Sequence, residues 1–326
     1  MAPPRAGTVV AMGKTMRAVV GRRYGGPEVL EPAEVPRPGC GPDEVLVRVL
    51  AAGVNPVDAE CRGGKAEDWF GSGPHTWGWD VSGVVVEVGA GVEDLRPGDE
   101  VYGMPRFPAL AEGYAEFVSA PAAELAVKPA RLRHVDAAAL PLSGLTALQT
   151  LDRAGVGRGD RLLVNGAAGG VGHLAVQLAK ARGATVVAVA REVNHDFLRS
   201  LGADEVVDYT TTDVPSAVGE VTAVLDCVGR DELVELVRPG GVHARVPDAA
   251  TGPTALEEAA ARRDVRVVRH VVKPDGAGLV TLAGHVDRGE LTVDVGSVLP
   301  LREAVTAHKL LDEGISRGKL VLMPLD

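Results

Sequence analysis

The chain has 326 residues, 46% of them hydrophobic and 24% charged, and a net charge of −10. At about 150 residues per domain this length suggests roughly two domains, and its 41 Gly and 22 Pro stay below the share that marks disorder. An acidic balance without a basic stripe argues against a nucleic-acid footprint. Three cysteines, Cys40, Cys61 and Cys227, with no Cys-x-x-Cys pair argue against a disulfide framework or zinc ribbon and fit a reducing cytoplasm. No run of about 18 apolar residues is available to cross a membrane.

Residues 1–15 read as a loose tail without the apolar stretch of a signal peptide, the folded part beginning at Met16. The stretches Arg17–Val20, Glu44–Leu50, Val81–Val88 and Val101–Gly103 read as strands, and Glu44–Leu50 alternates with the period of a half-buried one. Frequent Gly and Pro between them suit a compact β-barrel-like domain. The pattern changes near Pro129. Asp136–Leu140, with Asp136 as N-cap, and Gly144–Ala154 read as helices. Strand and helix then alternate: Arg161–Val164, Gly172–Arg182, Thr185–Ala190 and Asn194–Leu201, followed by β-branched runs at Glu205–Val207, Ala223–Leu225, Val242–Val246 and Val265–Val271. Such alternation predicts an α/β fold with a doubly wound parallel sheet. After Pro274 come a helix (Ala277–Arg288), a strand (Thr292–Val295), a helix (Leu301–Asp312) and a strand (Lys319–Met323). This piece is too short to fold alone and is expected to complete the N-terminal domain by pairing with its edge.

The segment Arg161–Gly172, RLLVNGAAGGVG, runs from a strand through Gly166-x-x-Gly169-x-x-Gly172 into a helix. Glycines at such a turn let backbone approach a pyrophosphate, and the helix start offers N–H groups and a positive dipole end. Gly166, Ala168, Gly169, Gly170, Val171 and Gly172 are therefore candidates to bind a dinucleotide. At the tip of the second strand stands Arg191, whose planar guanidinium suits the 2′-phosphate of NADP; Glu192 beside it would oppose that choice if it faced the ribose.

These pieces, together with Gly53-Val54-Asn55-Pro56-Val57-Asp58, Gly78-Trp79-Asp80-Val81-Ser82-Gly83, Arg96-Pro97-Gly98-Asp99, Gly144-Leu145-Thr146-Ala147, Leu201-Gly202-Ala203-Asp204, Arg238-Pro239-Gly240-Gly241 and Gly318-Lys319, resemble the zinc-independent medium-chain dehydrogenases/reductases, in their quinone oxidoreductase and enoyl reductase branch. The resemblance implies a GroES-like β-barrel catalytic domain (residues 16–128 and 273–326) split by a Rossmann NADP-binding domain (129–272), with the active site in the cleft between them. It implies that Asn55 and Thr146 lie at the nicotinamide end, that Tyr209 reaches the 2′-phosphate, that the segment Asp226–Gly229, with Cys227, Val228 and Gly229, borders the nicotinamide ribose, and that His270, Val271 and Val272 line the nicotinamide. It also implies a homodimer, through the sheet edge around Val242–Val246 and Val265–Val271.

Zinc-binding relatives place a Cys where Asn55 stands and Gly-His-Glu where Gly78-Trp79-Asp80 stands, so the ligand set for a catalytic zinc is missing. Without a metal to hold a developing alkoxide, a conjugated acceptor that delocalises charge is the expected substrate: an enone, an enoyl thioester or a quinone, reduced by NADPH. His75 is the candidate acid beside Asn55; the alternatives are a surface loop histidine there, with water or the cofactor ribose hydroxyl supplying the proton. Trp69, Phe70 and Trp77 form either a lid facing the substrate or ordinary barrel packing. A pathway-specific tailoring reductase of a polyketide-like product, and a crystallin-like protein that binds NADPH without turnover, are the competing readings.

Overall fold

The computed structural model describes residues 10–246, 254–314 and 317–324. The chain divides into two compact units. One takes the described residues up to Leu142, Lys273–Asp287 and the stretch from Val293; the other takes Ser143–Val272 and Arg288–Thr292. The first boundary falls after Leu142 rather than after Lys128, because the helix His134–Ala138 and the residue after it bury Ala138 and Ala139 against Ala51 and Val321 of the barrel strands. Residues 1–9 of the expected tail lie outside the described residues, whereas residues 10–15 extend the first strand, Val10–Gly21.

The first unit is built on two sheets. The larger runs Val295–Pro300, Lys319–Met323, Glu44–Val54, Val81–Val88, Glu100–Gly103 and Leu125–Val127, with Phe117–Pro121 also paired to Glu44–Val54. Glu44–Val54 is the centre of this sheet, so it is buried on more than one face: Leu46, which alternation assigns to solvent with Arg48, is 1% exposed. The terminal strand Lys319–Met323 pairs antiparallel with Val54–Ala52, as expected for a C-terminal piece that completes the N-terminal domain. The smaller sheet pairs Val10–Gly21 with Leu30–Pro38 and with His75–Thr76. Leu30–Pro38 holds Pro32, Pro36 and Pro38, a composition tolerated because the strand lies at the sheet edge. Gly83 is required where two strands approach closely: a Cβ there would lie 2.0 Å from Arg48 O.

The second unit is a six-stranded parallel sheet, ordered Glu205–Val207, Thr185–Val189, Arg161–Asn165, Val221–Asp226, Val237–Arg245 and Arg266–Arg269. Its strands read as near-continuous apolar runs because both faces are covered. The helix Gly172–Ala181 lies on the first two strands of the motif, with Leu174 and Leu178 out of water, each such side chain contributing about 1.5–3 kcal/mol.

Three sequence expectations are corrected. Arg133, not Asp136, is the N-cap of the first helix, because Asp136 sits in its first turn and takes both guanidinium arms of Arg133. The strand expected at Thr292–Val295 lies at Val295–Pro300, because Thr292 is held instead by Gln177, which accepts from its N–H at 2.8 Å and donates to its carbonyl at 3.0 Å. The helix expected at Asn194–Leu201 is shorter, His195–Ser200, after a single 3₁₀ turn over Glu192–Asn194.

Candidate functional site

In the second unit the strand Arg161–Asn165 passes into Gly166, whose φ of 75° demands glycine. The turn is tied down by Ala167 N–H donating to Val189 O at 3.1 Å. A Cβ on Gly172 would lie 2.3 Å from Gly166 O and 2.7 Å from Ala167 Cα, so only glycine lets the helix start against the turn. Gly169 is different. It is exposed, and a Cβ there would meet only Gly166 O, at 3.3 Å. Ala168, Gly170 and Val171 are half-buried beside it. His173 props the turn from below, its Nδ1 donating to Gly169 O at 2.9 Å.

The neighbouring strand Val221–Asp226 ends in a carboxylate that organises the next loop. Asp226, fully buried, accepts from Asn165 Nδ2 at 2.8 Å and from the backbone N–H groups of Val228, Gly229 and Arg230. Cys227–Gly229 thereby sit against the glycine turn: a Cβ on Gly166 would lie 2.9 Å from Val228 Cγ2 and 3.4 Å from Cys227 Cβ. Val228 is 62% exposed beside this turn. Burial and the Asp226 charge push the Cys227 thiol up, so it is no nucleophile at neutral pH. His270, buried, meets Gln149 Oε1 at 2.7 Å, which joins it to the helix Pro141–Ala154 that also carries buried Thr146; Val271 beside it is exposed and Val272 buried. Arg191 is exposed just past the strand Thr185–Val189, after buried Ala190, and is followed by exposed Glu192; Tyr209 is exposed after the third strand. The structure thus brings the glycine turn and the 227–229 loop together. The family resemblance places Asp226 in the segment bordering the nicotinamide ribose, but its part in holding the loop cannot be read there, because it depends on four donors converging on it in space. Asp226→Ala should lower NADPH affinity at least about tenfold by freeing that loop, since hydrogen bonds to a charged group are worth about 1.5–3 kcal/mol each; a fluorescence titration of the cofactor reads this directly.

In the first unit Asn55 caps the helix Pro56–Arg62 within a polar cluster that is out of water. Its Nδ2 donates to Asp80 Oδ2 at 3.0 Å, and its Oδ1 accepts from Lys319 Nζ. Lys319 Nζ also lies 3.5 Å from Asp80 Oδ2, and Asp80 Oδ1 accepts from Leu142 N at 2.8 Å. Asp58 accepts from Asn55 N at 2.7 Å and from Gly78 N at 3.1 Å, and Tyr114 donates to it as well. A directional chain of donors stands behind that tyrosine. Arg62 donates to His308 Nδ1 at 2.9 Å, so Nε2 carries the imidazole hydrogen and points it at Tyr114 Oη, 3.2 Å away. Arg62 also reaches Asp312, at 2.9 Å, and Gly25 O. Burial and the Arg62 charge hold His308 at about 3, and burial raises Asp58 to about 7.

His75 is not a surface loop residue. It is buried in the short strand His75–Thr76, 2.9 Å from Gly71 O and 3.1 Å from Tyr24 Oη, with its ring 5.2 Å from Trp77. Asn55 takes its partners from Asp80, Asp58 and Lys319, whereas His75 belongs to an aromatic cluster with Tyr24, Phe70 and Trp77. Trp77 is 1% exposed and packs edge-on to Phe70, whereas Trp69 is 47% exposed. Among the described residues no group of three or more His, Cys, Asp or Glu is placed to hold a metal ion, and no helix is long and apolar enough to cross a membrane.

Two family models match the chain: an alcohol dehydrogenase GroES-like domain over residues 41–130 and a zinc-binding dehydrogenase over residues 201–322. The chain is 35% identical to an NADPH-dependent alkenal/one oxidoreductase of Arabidopsis thaliana, over 96% of this chain and 80% of that protein. It is 34% identical to a 2-methylene-furan-3-one reductase of Solanum lycopersicum, over 98% and 81%. The solved structure of a quinone oxidoreductase from Coxiella burnetii superimposes with a TM-score of 0.89 at 36% identity, covering 95% of this chain and 99% of that one. The chain belongs to the medium-chain dehydrogenase/reductase family, in its quinone oxidoreductase branch. Its first unit is the family's GroES-like domain and its second the Rossmann-type domain.

Proposed function

We propose that this protein is an NADPH-dependent reductase that delivers hydride to a conjugated acceptor, an enone, enoyl thioester or quinone, without zinc. The observation that carries this reading is the strand–turn–helix at Gly166–Gly172 with the Asp226-held loop against it: Gly172 lets the helix start close on the turn, and Gly169 faces open space that a side chain would enter. The relatives' activities, on alkenals, an enone and quinones, support the same substrate class. Gly169, Gly170 and Val171 would hold the diphosphate, Arg191 and Tyr209 the 2′-phosphate, and Thr146, Cys227–Gly229 and His270–Val272 the nicotinamide end. Bound there, NADPH supplies the hydride.

The acceptor's own conjugation carries the charge that a zinc ion holds elsewhere, and the side chains at the zinc-ligand positions, Asn55 and Asp80, are committed to each other and to Lys319. The protein would work in the cytoplasm as a homodimer. The strand Arg266–Arg269 ends the six-stranded sheet and offers an edge that a second copy would continue.

The test is deuteride transfer from NADPH deuterated at C4, with an enone or enoyl thioester beside a 1,4-quinone. Deuterium on the β-carbon of the product establishes alkene reduction. NADPH loss with quinone alone, and no carbon-bound deuterium, establishes quinone reduction. NADPH bound without turnover of either would overturn the reading in favour of a binding protein.

A further inference from the structure

Gly169 and Gly170 stand side by side in the glycine turn, Gly169 exposed and Gly170 half-buried. The peptide that joins them is trans, so its oxygen and its N–H point to opposite sides. Turning that peptide over changes ψ of Gly169 and φ of Gly170 together, and with glycine at both positions no Cβ forbids the turned state. The residues that leave room for a diphosphate therefore leave its donor undirected. One state presents an N–H outward; the other presents a carbonyl oxygen, which repels an anion.

His173 decides between them. It has no exposed surface, it is followed by buried Leu174, Ala175 and Val176, and the function proposed above gives it no task. A polar side chain so placed is costly unless it is bonded. Gly169 O accepts twice from this one residue, from its backbone N–H at 3.1 Å and from Nδ1 at 2.9 Å. A carbonyl oxygen only accepts, so Nδ1 carries the hydrogen. Turning the peptide would strand both of these buried donors. The residue that holds the oxygen is itself braced. Gln177 Nε2 donates to His173 O at 3.0 Å and to Thr292 O at 3.0 Å, and the Phe197 ring lies 6.4 Å from the imidazole. Gly170 N–H, on the opposite side of the peptide, has no partner among the described residues.

We propose that His173 is a positioning residue: its Nδ1–H locks the Gly169–Gly170 peptide with the oxygen inward, so that Gly170 N–H is held outward as a donor to the diphosphate of the cofactor. The inference rests on the cofactor reading above. Preorganisation is the gain, since a donor already aimed at the anion costs nothing to orient when the cofactor arrives.

The experiment titrates NADPH into wild type, His173→Asn and His173→Leu, and records the Tm of each without cofactor. Asparagine Nδ2 lies as many bonds from Cα as histidine Nδ1 and can donate in its place, whereas leucine fills the space and donates nothing. His173→Leu should raise Kd for NADPH about tenfold or more, the worth of one hydrogen bond to a charged group, and His173→Asn should stay within about threefold of wild type. Adenosine 2′-phosphate has the adenine and 2′-phosphate of NADPH but no diphosphate. It should bind all three proteins within about twofold, because independent sites do not couple. A merely structural histidine predicts a different order. The smaller asparagine leaves a cavity, so Kd would follow Tm rather than the donor, and both ligands would weaken together. Either result would overturn the proposal.

A second readout uses the unaltered protein and holds even where neither variant folds. The Gly170 amide should exchange freely with solvent in the absence of cofactor and become protected when NADPH binds. Protection in the free protein would place that N–H inward and end the positioning role. An amide left unprotected while NADPH binds removes the diphosphate from this turn, and the cofactor reading falls together with the proposal. Protection on binding, with wild-type affinity in His173→Leu, sinks the positioning role and leaves the cofactor reading standing.

Discussion

Gly172→Ala is expected to cost both stability and NADPH affinity, whereas Gly169→Ala should cost affinity alone. The new methyl at Gly172 would overlap Gly166 O, Ala167 Cα and Ala167 C, all within 2.9 Å and all backbone. Backbone cannot rotate out of the way as a side chain can, so the helix start must retreat from the turn. Overpacking of this kind costs about 1–3 kcal/mol, which for a unit of this size lowers Tm by roughly 2–4 °C per kcal/mol. The same retreat spoils the approach of the helix N-terminus to a phosphate. At Gly169 the methyl meets only Gly166 O, at 3.3 Å, and otherwise projects into open space. That space is what a diphosphate lying on the turn would fill, so affinity should fall about tenfold or more with Tm within a degree or two of wild type. Thermal unfolding without cofactor and a fluorescence titration with NADPH separate the two outcomes. A Gly169→Ala protein that binds NADPH as well as wild type would remove the diphosphate from this turn.

Asp58→Asn should change the pH dependence of stability. Burial raises the Asp58 carboxyl to about 7, and the Asp80 charge adds to the rise, against the hydrogen bonds from Asn55 and Tyr114 and the charge of Lys319. In the unfolded chain the same carboxyl titrates near 3.8. Between those values the native state binds more protons than the unfolded state, so this group's contribution falls as pH rises, by at most about 1.4 kcal/mol per pH unit. Below about 4 both states hold the proton, and above about 7 neither does; the slope is confined to the interval. The carboxamide that replaces the carboxyl in the variant does not titrate. Asp80, Lys319, Tyr114, Arg62 and His308, which surround the group, are common to both proteins and largely cancel in the difference. The stability of the variant relative to wild type should therefore climb from pH 4 to pH 7 and then level off, from whatever baseline the altered hydrogen bonds set. Chemical denaturation at closely spaced pH values measures it. Parallel curves across that interval would show that Asp58 is not the group titrating there.

The parts of this protein legible in its sequence are those written in contiguous residues. The strand Arg161–Asn165, the glycine turn and the helix Gly172–Ala181 follow one another in the chain, and each leaves its own local mark, apolar run, glycine spacing and helical periodicity. The pairing of Lys319–Met323 with the N-terminal domain could be argued because the C-terminal piece had no core of its own. Leu30–Pro38 was hidden by three prolines, which lower strand propensity and are tolerated only because of an edge position that sequence does not display. Asn55 could be singled out by its motif, but its partners could not. Asp80 is 25 positions away and Lys319 264, and a lysine at the first position of an apolar strand reads as a solvated charge until its burial is seen. His75 was open to a surface reading for the opposite reason: a two-residue strand between Gly-rich turns has too short a pattern to reveal that both its side chains are covered.

The strand that supplies Lys319 also sets an order of events during synthesis. Every strand of the six-stranded sheet lies between Arg161 and Arg269, so that sheet can close while the ribosome is still translating the remainder. Asn55 has left the tunnel long before. At about 5–20 residues per second, the 264 residues separating it from Lys319 take roughly 13–53 s to make. Throughout that interval Asp80 and Asp58 have no ammonium to face, and the first-made domain must keep its carboxylates hydrated or protonated. The nascent chain thus carries a nearly finished nucleotide fold while the larger sheet of the first unit still waits for Val295–Pro300 and Lys319–Met323, and the polar corner around Asn55 is completed only when Lys319 arrives.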